Sequence, residues 1–359
     1  MNQTNFNRIK KLLDDSGLLS QAKQEAIADF DFSNETILIT GAAGTIGSGI
    51  AKQLIKCSFK QLVLLDNAET PLYFLQKELE LLQLNKLHFI VSDIRDEHAM
   101  KELFKTWKPS LVFHTAAYKH VPLMESNPYE AIKLNVLGTK ILADLALKHR
   151  TKKFVFISTD KAANPISVMG MTKWIAETHL DGLNTLNKTT FLITRFGNVL
   201  GSNGSLIPLF KKQIQEQNAI TITHKAVTRY VINKNRACQL ILKIASLDHW
   251  KSYVFTFDMG KPIKIIDLAN VFIQLQNIKP ASDVKINFIG LRPGEKLHED
   301  MISDYEKLCP TEYSDIWYII PKQKKEQPVF NLKPLQNIKA FQTVSDIKHI
   351  ISKFCQENL

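Results

Sequence analysis

The chain has 359 residues, 45% of them hydrophobic and 23% charged, with a formal net charge of +11. This is the composition of an ordinary globular protein with room for two lobes. It excludes a transmembrane segment, which needs about 18 consecutive apolar residues, and the polar, mixed residues 1–11 exclude a signal peptide, so the cytoplasm is the default compartment.

In chain order, Phe6, Ile9, Leu12 and Leu13 recur at helical spacing, and a second short helical segment follows over 18–27, making 1–33 a helical N-terminal extension. From Asn34 the pattern alternates strand and helix. Strands are expected at 36–40, 61–66, 87–91, 111–114, 153–158 and 190–195, each nearly continuous in apolar residues, as in a parallel sheet buried on both faces. Helices at 45–57, from Thr70-Pro71 onward, at 97–106, at 128–148 and at 167–183 supply right-handed crossovers. The fold class is therefore α/β, a Rossmann-type doubly wound parallel sheet over 34–200. Beyond Gly197 the alternation loosens into a smaller, discontinuous substrate lobe over 201–320, whose strand 253–257 can return to the main sheet. The tail 321–359 ends in an amphipathic helix near 345–354.

Gly41, Gly44 and Gly47 follow the first strand and open a helix. Gly41 permits the tight turn, Gly44 lets the backbone approach a pyrophosphate, and Gly47 lets helix and sheet pack closely. The phosphates then meet unpaired N–H groups at the positive end of a helix dipole. The second strand ends in Asp66, nineteen residues after Gly47, where an acid takes a ribose diol. That carboxylate repels a 2′-phosphate and no Arg follows it, so NAD is favoured over NADP. Asp93 ends the third strand where the adenine amino group is expected. Ala43, Thr45 and Ile46 of the turn, Ile94 beside Asp93, and Ala116 and Ala117 after the fourth strand complete the expected cofactor contacts.

The fifth strand ends in Ser158-Thr159-Asp160-Lys161, at the sheet edge where open α/β proteins bind ligands. On the next helix Met169 and Lys173 stand four apart and share a face. Short-chain dehydrogenases carry Tyr four residues before that Lys; here the position is Met. The lysines are dispersed without an aromatic and basic pattern, so no nucleic-acid partner is expected. Cys57, Cys238, Cys309 and Cys355 show no CxxC pair, so neither a disulfide framework nor a metal site is expected.

Six blocks resemble the CapD-type polysaccharide-biosynthesis proteins, in the UDP-N-acetylglucosamine 4,6-dehydratase branch of the extended short-chain dehydrogenase/reductases. They are Thr40-Gly-Ala-Ala-Gly-Thr-Ile-Gly47, Ala116-Ala-Tyr-Lys-His-Val-Pro-Leu-Met-Glu125, Ser158-Thr-Asp-Lys-Ala162, Arg195-Phe-Gly-Asn-Val-Leu-Gly201, Thr228-Arg-Tyr230 and Leu291-Arg-Pro-Gly-Glu-Lys-Leu297. The resemblance covers roughly residues 34–319.

The resemblance implies a nucleotide-sugar 4,6-dehydratase with a tightly bound, recycled NAD. Hydride leaves C4 of UDP-N-acetylglucosamine, the C5 proton is removed, water leaves from C6, and the hydride returns to C6. The product is a UDP-4-keto-6-deoxy-N-acetylhexosamine for surface glycan synthesis. Thr159, Asp160 and Lys161 are implied to carry the chemistry, with Asp160 as the acid at the C6 oxygen. Lys161 is the implied C5 base, which requires desolvation or nearby positive charge to neutralise its ammonium. Lys173 is implied to hold the nicotinamide ribose. Met169 cannot move a proton, and its presence marks the branch. Asn198 and Arg292 are implied at the diphosphate, with Arg229 and Glu295 beside them, while Lys119 and His120 wall the sugar pocket. A homo-oligomer is implied.

The chain departs from the family at Gly49, where a Glu is usual, and at the basic segment 233–236. The transmembrane half of the large members has no counterpart here, which implies a soluble form. Two alternatives stay open. One is a 4-epimerase, which leans on the Tyr missing at 169; the other is a catalytically silent, NAD-binding regulatory protein.

Overall fold

A computed structural model describes residues 1–19, 30–80, 85–276, 284–323, 329–340 and 342–358. The helical segment expected over 18–27 lies almost wholly outside these residues. The main sheet holds nine strands: β1 Asp31–Thr40, β2 Ser58–Asp66, β3 Leu87–Val91, β4 Leu111–His114, β5 Lys153–Thr159, β6 Thr190–Phe196, β7 Val254–Phe257, β8 Glu306–Pro310 and β9 Ile316–Pro321. Their spatial order is β8-β9-β7-β6-β5-β4-β1-β2-β3. Every pair from β3 across to β7 is parallel, and β9 and β8 close the far edge as an antiparallel hairpin. The order reverses between β1 and β4, so the binding crevice opens at the carboxyl ends of these two strands.

The expected parallel core is present, for the expected reason. All four residues of β4 and the last five of β1 are buried, because helices cover both faces. Fully burying each Ile, Leu or Phe there contributes roughly 1.5–3 kcal/mol. β1 begins at Asp31, five residues before the apolar run. Phe32 is buried opposite Phe59, and an irregularity between Phe32 and Thr36 lets the strand resume its register. The hairpin β8–β9 has no apolar run as long as those of the central strands. Three of the five β8 side chains are exposed, as befits an edge.

The helix expected over 128–148 is continuous but not uniform. Residues Ile132–Gly138 adopt π geometry between the α-helical turns Pro128–Ala131 and Thr139–Lys148. The wider turn leaves Asn135 free to reach sideways. Its Oδ1 accepts from Tyr118 N (2.9 Å), and its Nδ2 donates to Tyr118 O (3.0 Å) and to Thr172 Oγ1 (3.0 Å). One amide thereby fixes the loop after β4 to the helix Val168–Leu183, next to Lys173.

A smaller lobe gathers the helices Leu206–Gln217 and Ile265–Gln276 with short strand pairs. The N-terminal helix Gln3–Asp15 is part of it: Ile9 and Leu13 are buried among Ile207, Phe210, Leu268 and Phe272. Arg8 Nη2 donates to Met259 O (2.8 Å) and Lys261 O (2.6 Å). At the other terminus the helix Val344–Asn358 packs Ile347, Ile351 and Phe354 against Ile175 and Phe330.

Candidate active site

Gly41 adopts φ +71°, a conformation that favours glycine. A Cβ on Gly41 would lie 2.6 Å from Ala116 N, and one on Gly47 would lie 2.2 Å from Gly41 O. Both positions therefore require glycine for packing reasons. Thr115 Oγ1 secures the turn by donating to Thr40 O (2.8 Å) and Gly41 O (3.0 Å). Asp66 lies at the carboxyl end of β2, where its oxygens accept from Ala43 N (2.9 Å) and Ala68 N (2.9 Å).

Gly41, Ala43, Gly44, Asp66, Asp93, Ile94, Ala116 and Ala117 line one cavity of about 280 Å³. Asp93 does not wait there as a bare carboxylate. It chelates Arg95 through Nε (3.0 Å) and Nη2 (2.7 Å), and this pairing holds it below the usual carboxylate range. Gly47 lies beneath the turn. The residues present fit a dinucleotide: a glycine turn opening onto a helix N-terminus, with an acid at the end of the second strand.

A second cleft of about 580 Å³ shares Gly44, Thr115, Ala117, Tyr118 and Asn203 with the first, so the two form one continuous groove. Thr45, Ile46, Lys119, His120, Thr159, Lys161, Met169, Lys173, Asn198, Arg229, Arg292 and Glu295 all line it. Asp160 does not. It is fully buried behind Thr159 and Lys161. Its Oδ1 accepts from Thr159 Oγ1 (2.9 Å) and Lys161 Nζ (2.9 Å), and its Oδ2 has no partner among the described residues.

Lys161 lies between two carboxylates, Asp160 at 2.9 Å and Glu299 at 3.6 Å. Both ion-pair partners are carboxylates, whereas a neutral amine was expected to require desolvation or a nearby positive charge. Burial pushes Lys173 down to about 7 against the pull of Glu177. Its Nζ sits 3.7 Å from the centroid of the Phe156 ring. Met169 is buried with Met124, Ala131 and Val168 while its edge faces the cleft.

The strand end is braced from below. Ser158 Oγ donates to Glu177 (2.6 Å), and Glu177 pairs with the buried Arg195, which also pairs with Glu306 (2.7 Å). The helix Val168–Leu183 is held at its start. Ser167 Oγ accepts from Gly170 N (3.0 Å), and Glu125 Oε1 accepts from Val168 N (2.7 Å).

Arg229 is not an open phosphate clamp in this structure. Its guanidinium is buried, donating to Thr228 O (2.7 Å), Leu297 O (3.1 Å) and Glu295 (3.1 Å), so the Arg229 and Glu295 charges cancel. Arg292 is exposed at the rim and, among the described residues, its side chain has no hydrogen-bond partner. Burial lowers Lys119 and His120. The His120 ring abuts Gly204 in the loop 201–205, and Asn203 N donates to Thr45 Oγ1 (3.0 Å), so this loop roofs the groove.

The profile of a family described as polysaccharide biosynthesis proteins matches residues 37–321. The chain belongs to this family. It is a CapD-like extended short-chain dehydrogenase/reductase. The chain is 45% identical over 284 residues to the capsular polysaccharide biosynthesis protein CapD of Staphylococcus aureus, covering 78% of this chain and 47% of that one. It thus spans about half the length of such curated relatives. It is also 31% identical to a UDP-glucose 4-epimerase of Rickettsia bellii over 303 residues, and 31% identical to an inverting UDP-N-acetylglucosamine 4,6-dehydratase of Campylobacter jejuni over 305. Each match covers 82% of this chain and 85% of the relative. Among solved structures, Pen from Bacillus thuringiensis aligns with a TM-score of 0.73 at 31% identity, covering 83% of this chain and 92% of Pen. Among the described residues no helix is long and apolar enough to cross a membrane.

Two parts of the site escaped the sequence reading. Glu299 stands two residues beyond the last family block, in a segment without helix or strand, where no residue spacing marks it. Asn203 acts through its backbone, which no residue pattern reveals.

Proposed function

We propose that the protein is a nucleotide-sugar 4,6-dehydratase acting on UDP-N-acetylglucosamine with NAD held in the groove. One observation carries this reading. The helix position that serves proton transfer in related dehydrogenases is a buried thioether, Met169, whereas ionisable groups gather at the end of β5. Bound NAD supplies a temporary store for the hydrogen taken from C4 and given back at C6. The Asp66 carboxylate favours NAD over NADP by repelling a 2′-phosphate.

The protein's own residues do the rest. Thr159 Oγ1 faces the cleft and donates to Asp160, so a C4 hydroxyl proton can pass through Thr159 to the buried carboxylate and later return to the leaving C6 oxygen. Asp160 works through this relay. Lys161, as a neutral amine, removes the C5 proton that the adjacent ketone acidifies. Lys173 orients the nicotinamide ribose, and its low proton affinity limits the positive charge beneath it. Asn198 and Arg292 receive the diphosphate. The enzyme works in the cytoplasm as a homo-oligomer, with residues 34–200 as the cofactor half.

The Rickettsia relative keeps a second reading in play, a 4-epimerase. Incubation with UDP-N-acetylglucosamine in D₂O, followed by NMR, separates the two. Loss of water with deuterium at C5 is expected; a C4 epimer without C5 exchange would overturn the dehydratase.

A further inference from the structure

Glu299 is a buried acid with unfinished bonding. Its side chain is 2% exposed, and its Oε2 has no hydrogen-bond partner among the described residues. Yet it lines the cleft, with Oε1 3.6 Å from Lys161 Nζ. Its segment is firmly placed. Thr228 N and Arg229 Nη1 both donate to Leu297 O (3.0 and 3.1 Å), and Lys296 Nζ donates to Asn164 O (2.7 Å), just after Lys161. One ammonium therefore faces two buried carboxylates, Asp160 and Glu299.

This arrangement conflicts with the role of Lys161 as a base, on which the inference rests. Only a neutral amine can take a proton from C5, so the proton of the ammonium must first go elsewhere. The proton needs a holder inside the site. Asp160 Oδ1 already accepts from both Thr159 and Lys161, and its free Oδ2 is sealed from the cleft. Glu299, unlike Asp160, lines the cleft, and its Oε2 has no hydrogen-bond partner among the described residues.

We infer that Glu299 is the proton-holding partner of Lys161, sharing the ammonium proton within the pair so that a fraction of the molecules carries a neutral amine facing C5. An N–H bond of Lys161 breaks, an O–H bond on Glu299 forms, and the charge of the pair is conserved. The 3.6 Å gap lies just beyond the roughly 2.6–3.2 Å needed for transfer, a difference that ordinary side-chain motion closes. The groups facing Glu299 are Lys161, Asp160, Arg229 and Lys296. Burial raises the carboxyl above its ordinary value and Asp160 adds to that, while the three cations oppose it. Glu299 acts through Lys161 and is a positioning residue for charge.

A pair sharing one proton has a characteristic pH signature. The neutral-amine form of Lys161 is then a fixed fraction of the singly protonated pair, so its population is flat across roughly pH 6–8. With Glu299→Gln the proton has no holder, and the neutral amine rises about tenfold per pH unit. The test reads Lys161 directly, without substrate. The full chain is treated with a small amine-acylating reagent across pH, and Lys161 acylation is quantified by peptide mass spectrometry against an exposed lysine. The expected result is a flat profile for the unaltered protein and for Glu299→Asp, and a slope of one for Glu299→Gln. Parallel profiles in all three proteins would overturn the inference. Turnover of UDP-N-acetylglucosamine, measured separately, is expected to fall about 10²-fold in Glu299→Gln at pH 7 and to recover with rising pH. The acylation signature in a protein that turns over no nucleotide sugar would uphold the proton sharing while sinking the dehydratase reading.

Discussion

Met169 and Lys173 face the same groove from one helix, and the chemistry they allow differs completely. The thioether contributes shape; the buried lysine contributes a charge that burial makes easy to lose. If Met169 only packs, Met169→Leu, which nearly conserves volume, should cost less than about 1.5 kcal/mol in stability and change kcat by less than about tenfold. Asp160→Asn should instead lower kcat by roughly 10²–10⁴-fold, because the Thr159 relay loses its acceptor. Steady-state kinetics on the two variants decides the point: equal losses would mean that packing at Met169 matters as much as the Asp160 carboxylate and would sink the proton relay. Arg195 shows how tightly the strand end is specified. Arg195→Met leaves Glu177 and Glu306 buried without their partner, and a loss of about 3–5 kcal/mol is expected in denaturant unfolding.

At the scale of elements, the helix Val168–Leu183 works because its first turn is fixed from outside. Glu125 accepts Val168 N and is itself held by Lys348 of the C-terminal helix at 2.6 Å. Glu125→Ala removes a carboxylate from a helix N-terminus and should cost about 1–2 kcal/mol, read as a lower Tm. Lys348→Ala, losing a partly exposed pair, should cost about 0–1 kcal/mol. The parallel strands were legible in sequence because each is an apolar run whose burial is decided locally. The glycine turn was legible because only residues without a Cβ fit at Gly41 and Gly47. The π turn around Asn135 was not, since helical periodicity is blind to one carbonyl skipping its partner. Nor was the commitment of Arg229 to Glu295, two residues 66 apart in sequence that read equally well as ligand contacts. Glu299 was hidden for the same reason: its partner Lys161 lies far away in sequence, just after the end of β5.

For the whole molecule, acid stability should depend on a buried histidine at the carboxyl end of β4. His114 is buried between Thr40 Oγ1 and Thr139 Oγ1, each at 2.8 Å. Desolvation, aided by the Lys173 charge, pushes it down to about 3. Because the folded value is depressed, the stability it contributes is complete above pH 6.5. It drains away as the pH falls toward about 3, since only the unfolded chain then binds the proton. Below pH 6.5 the protein should lose about 1.4 kcal/mol per pH unit more than His114→Gln does. Denaturant unfolding at pH 7, 5.5 and 4.5 measures the difference; identical slopes would show that His114 charges in place.

The docking of the helix Gln3–Asp15 fixes an order of events during synthesis. Ile9 and Leu13 bury themselves among residues that run on to Ile273, so the partners of this early segment are completed 260 residues after Leu13 has been made. At roughly 5–20 residues per second the wait is about 13–50 seconds. A helix of 13 residues is marginal alone in water, so throughout that interval its apolar stripe has no home. The parallel sheet can assemble meanwhile, but the smaller lobe cannot. The helix Gln3–Asp15 can therefore dock only after residue 273 has been made, and a ribosome-bound chain halted before that point should leave this helix within reach of chaperones and proteases.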